Sequence, residues 1–451
     1  MWISMEVAPG NKEVIVLPQE MDININHEGK VIFGKNSCNA FIKRSSELDF
    51  IGGDNYDNPM KIIISSKLVN QLMIQPEVVY QIKFEGRKIV IGPVIGLLLG
   101  PHDYMYSPEH MKKYSDRFGI YKEIGGLVYA FSERTIDWKN SRIYGLYYNW
   151  KNKKWEYGTF PIPAAIYRRD FHSRKETVKK LMEATGGKMF NSWRFGKFYL
   201  YKHIKKNKNL LEYLPETEVT EDYRQVKRFI DKVGNVILKP IYLSRGRGIC
   251  IITKREDGYK ITDYRSRQVD ELFIENSEKL KDFFIANKDL FDNYLIQRYL
   301  ELAKVDGAPF DIRVVMQKNV EEEWQCSGIE CRVASKKSLI TNISRGGYAL
   351  TLDEALKRSF DVAKEEREKM KEAIYYLCIN LCKSLDRLNH HFAEFGIDIA
   401  LDVEGKPWII EANVFPSFKG FKNMDYDTYL GIRYTPMLYA AHLAGFKTIH
   451  R

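Results

Sequence analysis

The chain has 451 residues, of which 44% are hydrophobic and 29% are charged, with 30 Gly and 15 Pro. These proportions exclude a mainly disordered or collagen-like chain, and the length predicts two or three globular domains. The net charge of +11 favours anionic partners such as nucleotides. The basic residues are dispersed along the chain, so charge alone does not select nucleic acid.

Cysteine spacing and apolar run lengths exclude several other classes of protein. The six Cys form no CxxC pair and are too sparse for a disulfide-stapled domain, so we expect a reducing compartment. An apolar run at 14–18 is too short for a secretory signal, and the run at 93–100 is far below the roughly 20 residues that span a membrane. We therefore expect a cytoplasmic protein without a membrane partner.

Residues 1–90 predict a small β-rich domain. Short runs of β-branched residues at 13–17, 61–65 and 78–84 are separated by clusters of Asn, Asp and Gly.

Residues 91–185 predict an α/β domain. One apolar strand begins at Lys88, a helix follows around 110–118, and further strands lie near 126–131 and 143–148.

Helices and strands alternate through the remaining residues, which predicts α/β or α+β structure. One long amphipathic helix is predicted from residue 353 to residue 389. Apolar residues keep helical spacing there, while Lys and Glu fill the other face.

The most informative segment is FGIDIALDVEGKPWIIEANVFPS, residues 395–417. It predicts two strands joined by a two-residue turn at 404–405, and this register places Asp398 directly opposite Glu411. Asn413 points to the same face, because side chains alternate along a strand. Two opposed carboxylates and an amide among apolar neighbours favour a bound Mg²⁺ or Mn²⁺. The alternative is a solvated hairpin face with unrelated acids.

A second segment, NVILKPIYLSRGRGICII, predicts a strand, a loop of small residues and another strand. Lys239 interrupts the first strand and either extends into solvent or contacts an anion. Ser244, Gly246 and Gly248 in the loop favour the anion, because glycine lets backbone N–H groups approach phosphate oxygens. The usual P-loop and dinucleotide-binding motifs are absent from the sequence, so ATP would need a different phosphate site.

In a third segment, Asp311 and Arg313 share one face of a predicted strand, and Arg332 and Asn342 follow. Individually these are ordinary surface or turn residues.

In this order the three segments resemble the ATP-grasp superfamily. The span 297–416 carries Q-x-Y-L, D-x-R, a separate Arg, N-x-x-[RG]-G-G, and then D and E-x-N on the last hairpin. These motifs resemble the glutathione-synthetase and ribosomal-protein-glutamate-ligase branch. Upstream, GPVIGLLLG, GGLVYAFS and FPIPAAIYRR resemble the YheC/YheD group of endospore coat-associated proteins.

The resemblance implies an α/β and α+β fold with three parts. An ATP-grasp domain over 186–451, in which two α+β subdomains clasp the nucleotide, follows an α/β pre-ATP-grasp domain over 91–185 and the β-rich domain over 1–90.

The resemblance also implies roles for individual residues. Lys197 and Lys239 are similar to the lysines that contact nucleotide phosphates, and the backbone at Gln297, Tyr299 and Leu300 is similar to the hinge that binds adenine. The full implied nucleotide-binding set is Lys197, Lys239, Ser244, Gly246, Gly248, Gln297, Tyr299, Leu300, Asp311 and Asn342. The implied catalytic residues are Arg313 and Arg332, and the implied metal ligands are Asp398, Glu411 and Asn413.

The implied activity is ATP-dependent carboxylate-amine ligation through an acylphosphate. Such chemistry depends on positioning and charge neutralisation, which suits a set of lysines, arginines and metal ligands. The implied partners are ATP, Mg²⁺ or Mn²⁺, and an unidentified carboxylate and amine, a peptide or coat protein among them. The implied location is the cytoplasm or the spore coat.

Two other functions stay open at this point. The first is a non-catalytic ATP-binding or structural coat-associated protein that keeps the fold. The second is a nucleic-acid binder, which is disfavoured because the sequence lacks the aromatic-and-basic motif of a known module.

Overall fold

The computed structural model describes residues 1–21, 25, 27–242, 248–266, 269–334 and 347–448. Within these ranges the strands form four sheets, each built from one continuous part of the chain.

The first sheet is a barrel, closed in the order β1-β5-β2-β4-β3-β7-β6. Its strands are β1 (Trp2–Ala8), β2 (Val14–Pro18), β3 (Glu28–Phe33), β4 (Asn36–Ser45), β5 (Met60–Ser65), β6 (Tyr80–Glu85) and β7 (Lys88–Gly92). Along β4, Cys38, Ala40 and Ile42 are buried in the barrel core, and the residues between them are exposed. This alternation buries one face of β4 and leaves the other in solvent.

The second sheet is mixed, with order β10-β11-β9-β8-β13-β14 and β12 paired to β11. Its strands are β8 (Val94–Leu98), β9 (Leu127–Phe131), β10 (Ile136–Asp137), β11 (Arg142–Asn149), β12 (Lys154–Pro161), β13 (Ala165–Arg168) and β14 (Met189–Phe190). The strands predicted near 126–131 and 143–148 are β9 and β11.

The single strand predicted from Lys88 onward is wrong, because this apolar run forms both β7 and β8. β7 completes the barrel, and β8 begins the second sheet after Pro93. Proline lacks the N–H group that a continuing strand would donate, so the run divides there.

The third and fourth sheets contain only antiparallel pairs among the described residues. The third has the order β15-β20-β16-β17-β18-β19, and the fourth has the order β24-β23-β22-β25-β26 with β21 paired to β22. The strands of the third are β15 (Thr217–Val219), β16 (Val236–Pro240), β17 (Cys250–Arg255), β18 (Gly258–Asp263), β19 (Asp270–Ile274) and β20 (Tyr294–Arg298). The strands of the fourth are β21 (Lys304–Val305), β22 (Ala308–Lys318), β23 (Trp324–Val333), β24 (Tyr348–Leu350), β25 (Glu394–Leu401) and β26 (Pro407–Asn413).

The α-helices vary from four to 23 residues over the described ranges. They are α1 (Ser66–Leu72), α2 (Pro108–Met111), α3 (Tyr121–Ile124), α4 (Lys175–Thr185), α5 (Lys197–Ile204), α6 (Lys208–Leu211), α7 (Tyr223–Val233), α8 (Ser277–Ala286), α9 (Leu352–Ser359), α10 (Lys364–Asp386), α11 (Lys419–Met424) and α12 (Tyr426–Leu443). Short 3₁₀ helices span Asp103–Tyr106, Lys112–Phe118, Glu133–Thr135 and Lys288–Phe291. None of the helices in the described part of the chain has the length and apolar character needed to cross a membrane.

The single long helix predicted over 353–389 is wrong, because α9 ends before α10 begins. Phe360 and Ala363 between them have extended backbone. Both helices bury an apolar stripe of the same period, so the spacing of apolar residues does not reveal the break. Lys371 Nζ on α10 donates to Asp353 Oδ1 on α9 at 2.8 Å and links the two helices.

The two faces of the fourth sheet differ in what covers them. Ile312 and Val314 on β22 belong to the same core cluster as Ile374 and Leu377 of α10. Val315, on the other face, packs against Phe418, Phe421 and Ile432 around α11 and α12. Because side chains alternate along β22, Asp311 and Arg313 share the face of Val315.

A buried polar cluster joins the second sheet to the fourth. Glu394 on β25 accepts hydrogen bonds from Tyr167 Oη and from Gln317 Nε2, each at 2.9 Å, and it pairs with Arg169. Arg169 Nη2 also donates to the carbonyl oxygen of Pro416 at 2.8 Å. These contacts fix the segment that follows β26 against the second sheet.

Candidate active site

One row of charged residues crosses the fourth sheet. Cα pairing places Glu330 on β23 opposite Arg313 on β22, Arg313 opposite Asp398 on β25, and Asp398 opposite Glu411 on β26. Directly opposed residues of antiparallel strands share a face. The four side chains therefore lie on one side of the sheet, away from α10.

The pairing of Asp398 with Glu411 is confirmed, but the two-residue turn predicted between their strands is wrong. β25 ends at residue 401 and β26 begins at residue 407, because the Asp402 side chain accepts hydrogen bonds from Lys406 N at 2.9 Å and Trp408 Nε1 at 2.8 Å. The register then shifts by one residue beyond Asp398, as at a β-bulge. This shift restores the predicted pair.

Two arginines hold the two aspartates of this face. Arg313 Nη2 donates to Asp398 Oδ2 at 2.9 Å, and Arg313 Nε bonds the other oxygen. Arg332 donates from Nε and Nη2 to Asp311 at 2.6 and 2.7 Å, and its Nη2 lies 3.0 Å from Asp398 Oδ2. Burial opposes ionisation of Asp398, but Arg313 and Arg332 hold its pKa well below the usual range. Asp398 is therefore a carboxylate.

Glu411 has a different environment from Asp398. Burial, and then the charge of Asp398, raise the pKa of Glu411. Asn413 Nδ2 donates to Glu411 Oε1 at 2.7 Å, so the third predicted metal ligand lies beside it. Because the pKa of Glu411 is raised by a neighbouring negative charge, a cation close to both carboxyl groups would stabilise their ionised forms.

The donor types of Asp398, Glu411 and Asn413, two carboxylates and an amide oxygen, suit a hard divalent cation. The described residues contain no group of three or more His, Cys, Asp or Glu placed to hold a metal. Any ion here would take the carboxylates of Asp398 and Glu411, the amide oxygen of Asn413 and ligands from outside the protein. Few carboxylates combined with phosphate and water ligands are typical of Mg²⁺ sites.

Two lysines approach Glu411 from other elements. Lys239 lies on β16 of the third sheet, and Lys197 is the first residue of α5. Burial, and then the charge of Lys197, lower the pKa of Lys239 to about 8, while Glu411 opposes this shift. Because the charge of Lys197 disfavours the ammonium form of Lys239, an anion close to Lys239 would stabilise that form.

A short hydrogen-bond chain orients Lys239. Its Nζ donates to Gln297 Oε1 at 2.7 Å, and Gln297 Nε2 donates to Thr217 Oγ1 at 2.7 Å. The three residues lie on β16, β20 and β15, which are neighbours in the third sheet.

The segment after β20 connects the third sheet to the fourth. Tyr299 N donates to the carbonyl oxygen of Asn235 at 2.9 Å, and Ala303 N donates to that of Leu401 at 2.9 Å. Tyr299 and Leu300 are half-buried at the start of this connection. The structure thus brings Gln297, Tyr299 and Leu300 to the junction between the two sheets.

Three of the predicted nucleotide-binding residues, Ser244, Gly246 and Asn342, lie outside the described residues. Gly248 is described, and it precedes β17 with a φ of 75°, in the left-handed region that favours glycine.

Sequence reasoning missed Glu330 and Thr217. Glu330 stands two residues before Arg332 on the same strand, so the period of two could have placed it on the same face. Thr217 carries no sequence signal, because only the pairing of β15 with β20 brings it to Gln297.

Comparisons with known proteins agree with this architecture. A family model described as YheC/D like ATP-grasp matches residues 186–443. The endospore coat-associated protein YheD of Bacillus subtilis (strain 168) is 25% identical over 370 residues, which cover 79% of this chain and 79% of the relative. The endospore coat-associated protein YheC of the same strain is 26% identical over 325 residues, covering 70% of this chain and 86% of the relative.

One similar solved structure is the ATP-grasp ligase PsnB complexed with the precursor peptide PsnA2 and AMPPNP. It is 16% identical, with a TM-score of 0.44, and the alignment covers 78% of this chain and 98% of that one.

The predicted fold class, an α/β and α+β ATP-grasp fold, is confirmed by the family match and by the mixed helices and sheets of the structure. Members of the ATP-grasp superfamily are ATP-dependent ligases that generally use Mg²⁺. Because the family model matches more than half of the residues, this chain belongs to the YheC/D-like ATP-grasp family.

Proposed function

We propose that this protein is an ATP-dependent carboxylate-amine ligase. In the proposed reaction, a substrate carboxylate oxygen attacks the γ-phosphorus of ATP and ADP leaves, which gives an acylphosphate. An amine then attacks the acyl carbon, and inorganic phosphate leaves as the amide forms. The observation that carries the proposal is the convergence of Lys239, Lys197 and the row from Arg313 to Glu411 between two sheets.

The third sheet and α5 supply the proposed nucleotide site. Lys239 and Lys197 would hold the phosphates, and the chain from Lys239 through Gln297 to Thr217 fixes the first lysine. Backbone groups at Tyr299 and Leu300 would contact adenine. Ser244, Gly246, Gly248 and Asn342 complete the proposed set on the basis of the family motifs.

Charge balance supports a metal at the fourth sheet. Arg313 and Arg332 carry two positive charges, and Asp311, Asp398, Glu330 and Glu411 carry up to four negative charges, so these six groups have up to two negative charges in excess before the two lysines assigned to the phosphates are counted. A bound Mg²⁺ would neutralise charge on the phosphates and this excess together. Asp398, Glu411 and Asn413 are its proposed ligands.

The arginines are proposed to hold the reacting groups. Arg313 and Arg332 lie on one face beside the proposed metal ligands, so they can neutralise the substrate carboxylate and the phosphoryl group during transfer. Asp311 bonds Arg332 through both oxygens, and we assign Asp311 the role of orienting Arg332 toward the nucleotide.

The relatives YheC and YheD are named endospore coat-associated proteins. On the basis of these names, we propose that the present chain acts in the cytoplasm or at the spore coat. Its proposed substrate is a peptide or a coat protein.

Incubation with ATP, Mg²⁺ and a panel of ¹⁸O-labelled carboxylates and amines tests the proposal. Mass spectrometry should detect ADP, an amide product and one ¹⁸O atom in the released phosphate, because the carboxylate oxygen that attacks ATP leaves with phosphate. Glu411→Gln should abolish these products, and Glu404→Gln, at an exposed position between the same strands, should retain them.

The alternatives give different results in the same assay. Phosphate without ¹⁸O would indicate ATP hydrolysis and contradict ligation. Nucleotide binding without ADP formation across the panel would favour the non-catalytic coat-associated protein.

A further inference from the structure

Glu330 is the member of the charged row that the proposed reaction does not use. Glu330 is only 3% exposed, and its Oε2 atom has no hydrogen-bond partner among the described residues. Burial raises the pKa of Glu330 to about 7, which Arg313 and Arg332 oppose and Asp311 and Asp398 reinforce. Burying a carboxyl group without a hydrogen bond is costly, so its presence calls for a physical reason.

Gly420 of α11 packs closely against the carboxyl group of Glu330. A Cβ atom at residue 420 would overlap Glu330 Oε2 and lie 2.7 Å from its carboxyl carbon, so a side chain at 420 would fit only if the Glu330 side chain moved. Glycine therefore lets α11 approach Glu330 this closely. With solvent excluded on that side, the charged groups nearest to Glu330 belong to its own sheet.

Arg313 lies between two carboxyl groups in the row. Its cross-strand neighbours are Asp398 on β25 and Glu330 on β23, and its guanidinium bonds Asp398. Opposed residues of antiparallel strands have Cβ atoms about 4.5–5.5 Å apart. A guanidinium on a long side chain can therefore reach either neighbour by rotation about side-chain bonds.

The contacts of Asp398 conflict with metal binding. Both of its oxygens accept hydrogen bonds from Arg313, and Arg332 bonds one of them. A divalent cation on the same carboxylate would repel both guanidinium groups. Arg332 keeps Asp311 as a bidentate partner, but Arg313 would lose its only such partner among the described residues.

We propose that Glu330 is a positioning residue. Its carboxylate pairs with the Arg313 guanidinium when the Asp398 carboxylate binds a metal ion. This inference rests on the proposed metal site. Glu330 provides a second anionic partner on the neighbouring strand, so Arg313 stays paired in both states. Glu330 thereby lowers the free energy needed to break the pair between Asp398 and Arg313. The affinity of the site for the ion rises as a result.

Mn²⁺ binding in the presence of AMPPNP tests the exchange, with free Mn²⁺ measured by electron paramagnetic resonance. Glu330→Gln should weaken Mn²⁺ binding by about 10-fold or more, the scale for removing a residue that orients a metal ligand. Glu323→Gln, at an exposed position just before β23, should leave the affinity unchanged.

Thermal unfolding without metal separates this role from a purely structural one. Glu330→Gln should be at least as stable as the wild type, because it removes a buried carboxyl group whose ionised form is costly in this environment. A lower unfolding temperature with unchanged Mn²⁺ affinity would overturn the proposal.

A double variant tests whether the effect passes through Arg313. In an Arg313→Gln background, Glu330→Gln should not weaken Mn²⁺ binding further, since there is no guanidinium to exchange. If Arg313→Gln does not fold, the same comparison is made in an Arg313→Lys protein, because lysine cannot form the two parallel hydrogen bonds of a guanidinium. Equal weakening in both backgrounds would contradict the exchange.

The same titration separates failure of this inference from failure of the proposed function. If the wild type binds no Mn²⁺ in the presence of AMPPNP, both the proposed metal site and the role of Glu330 are contradicted. If the wild type and Glu330→Gln bind Mn²⁺ equally tightly, only the role of Glu330 is contradicted.

Discussion

Asp398 lies directly opposite Glu411 on the last hairpin, and the pKa values of the two carboxyl groups are shifted in opposite directions. Burial disfavours the charged form of both. Arg313 and Arg332 overcome this cost at Asp398, whereas the neighbouring negative charge of Asp398 adds to it at Glu411. The pair therefore combines a carboxylate fixed in its charged form with one that favours a bound proton or cation.

Asp398→Asn should destabilise the protein, because it removes the buried carboxylate that both Arg313 and Arg332 contact, and Glu330 can replace it only for Arg313. Breaking a buried ion pair costs roughly 3–5 kcal/mol. Urea denaturation should detect this loss in the free energy of unfolding. The control is Glu216→Gln, which breaks the half-exposed pair with Arg298 and should cost about 1 kcal/mol or less. Equal losses in the two variants would show that the Asp398 pair is not specially stabilising.

Lys239→Met should weaken ATP binding about 10- to 100-fold, the equivalent of one or two charge-assisted hydrogen bonds to phosphate. The fold should persist, since the change removes a buried cation whose pKa is already lowered to about 8. Isothermal titration with Mg-ATP measures the affinity. Lys254→Met, on β17 of the same sheet, removes an exposed lysine and serves as the control. Unchanged affinity in Lys239→Met would remove this lysine from the nucleotide site.

Arg332→Lys should reduce turnover by on the order of 100-fold, because lysine keeps the charge but loses the planar fork that Asp311 holds. ATP affinity should stay within a few-fold, since the interaction strengthens only during phosphoryl transfer. Steady-state kinetics gives kcat, and titration gives the dissociation constant. A loss confined to ATP affinity would instead make Arg332 a ground-state binding residue.

The hairpin could be predicted from sequence because its information is local. Alternation along 395–413 places Asp398, Glu411 and Asn413 on one face, and a bulge corrects the error in the predicted turn. The motif order also led to the correct fold class.

Other features depend on contacts between distant parts of the chain. Closure of the barrel, the approach of Lys197 to Glu411 and the packing of Gly420 on Glu330 have no signal in the local pattern. The break between α9 and α10 was hidden because both helices have the same period. The division of the chain at residues 90 and 185, and the roles assigned to the site residues, stay predictions.

Glu330 should make stability fall as pH rises. Its pKa is about 7 in the folded protein and 4.5 as an ordinary glutamate, so the folded state retains the proton over this interval. The stabilisation is fully present below the lower value and is lost as pH rises through the upper one. Between about pH 5 and pH 8, the wild type should lose roughly 3 kcal/mol more than Glu330→Gln in urea denaturation. Parallel pH profiles would contradict the burial that raises the pKa of Glu330.

Anomalous diffraction from crystals grown with Mn²⁺ and AMPPNP shows whether Asp398, Glu411 and Asn413 hold a metal ion beside the nucleotide. We expect one Mn²⁺ peak within about 2.5 Å of carboxylate oxygens of Asp398 and Glu411 and of the Asn413 amide oxygen. The nucleotide phosphates should lie between this ion and Lys239. A peak remote from all three ligands, with Asp398 still bonded to Arg313 and the phosphates elsewhere, would contradict the proposed site and the ligase reaction built on it.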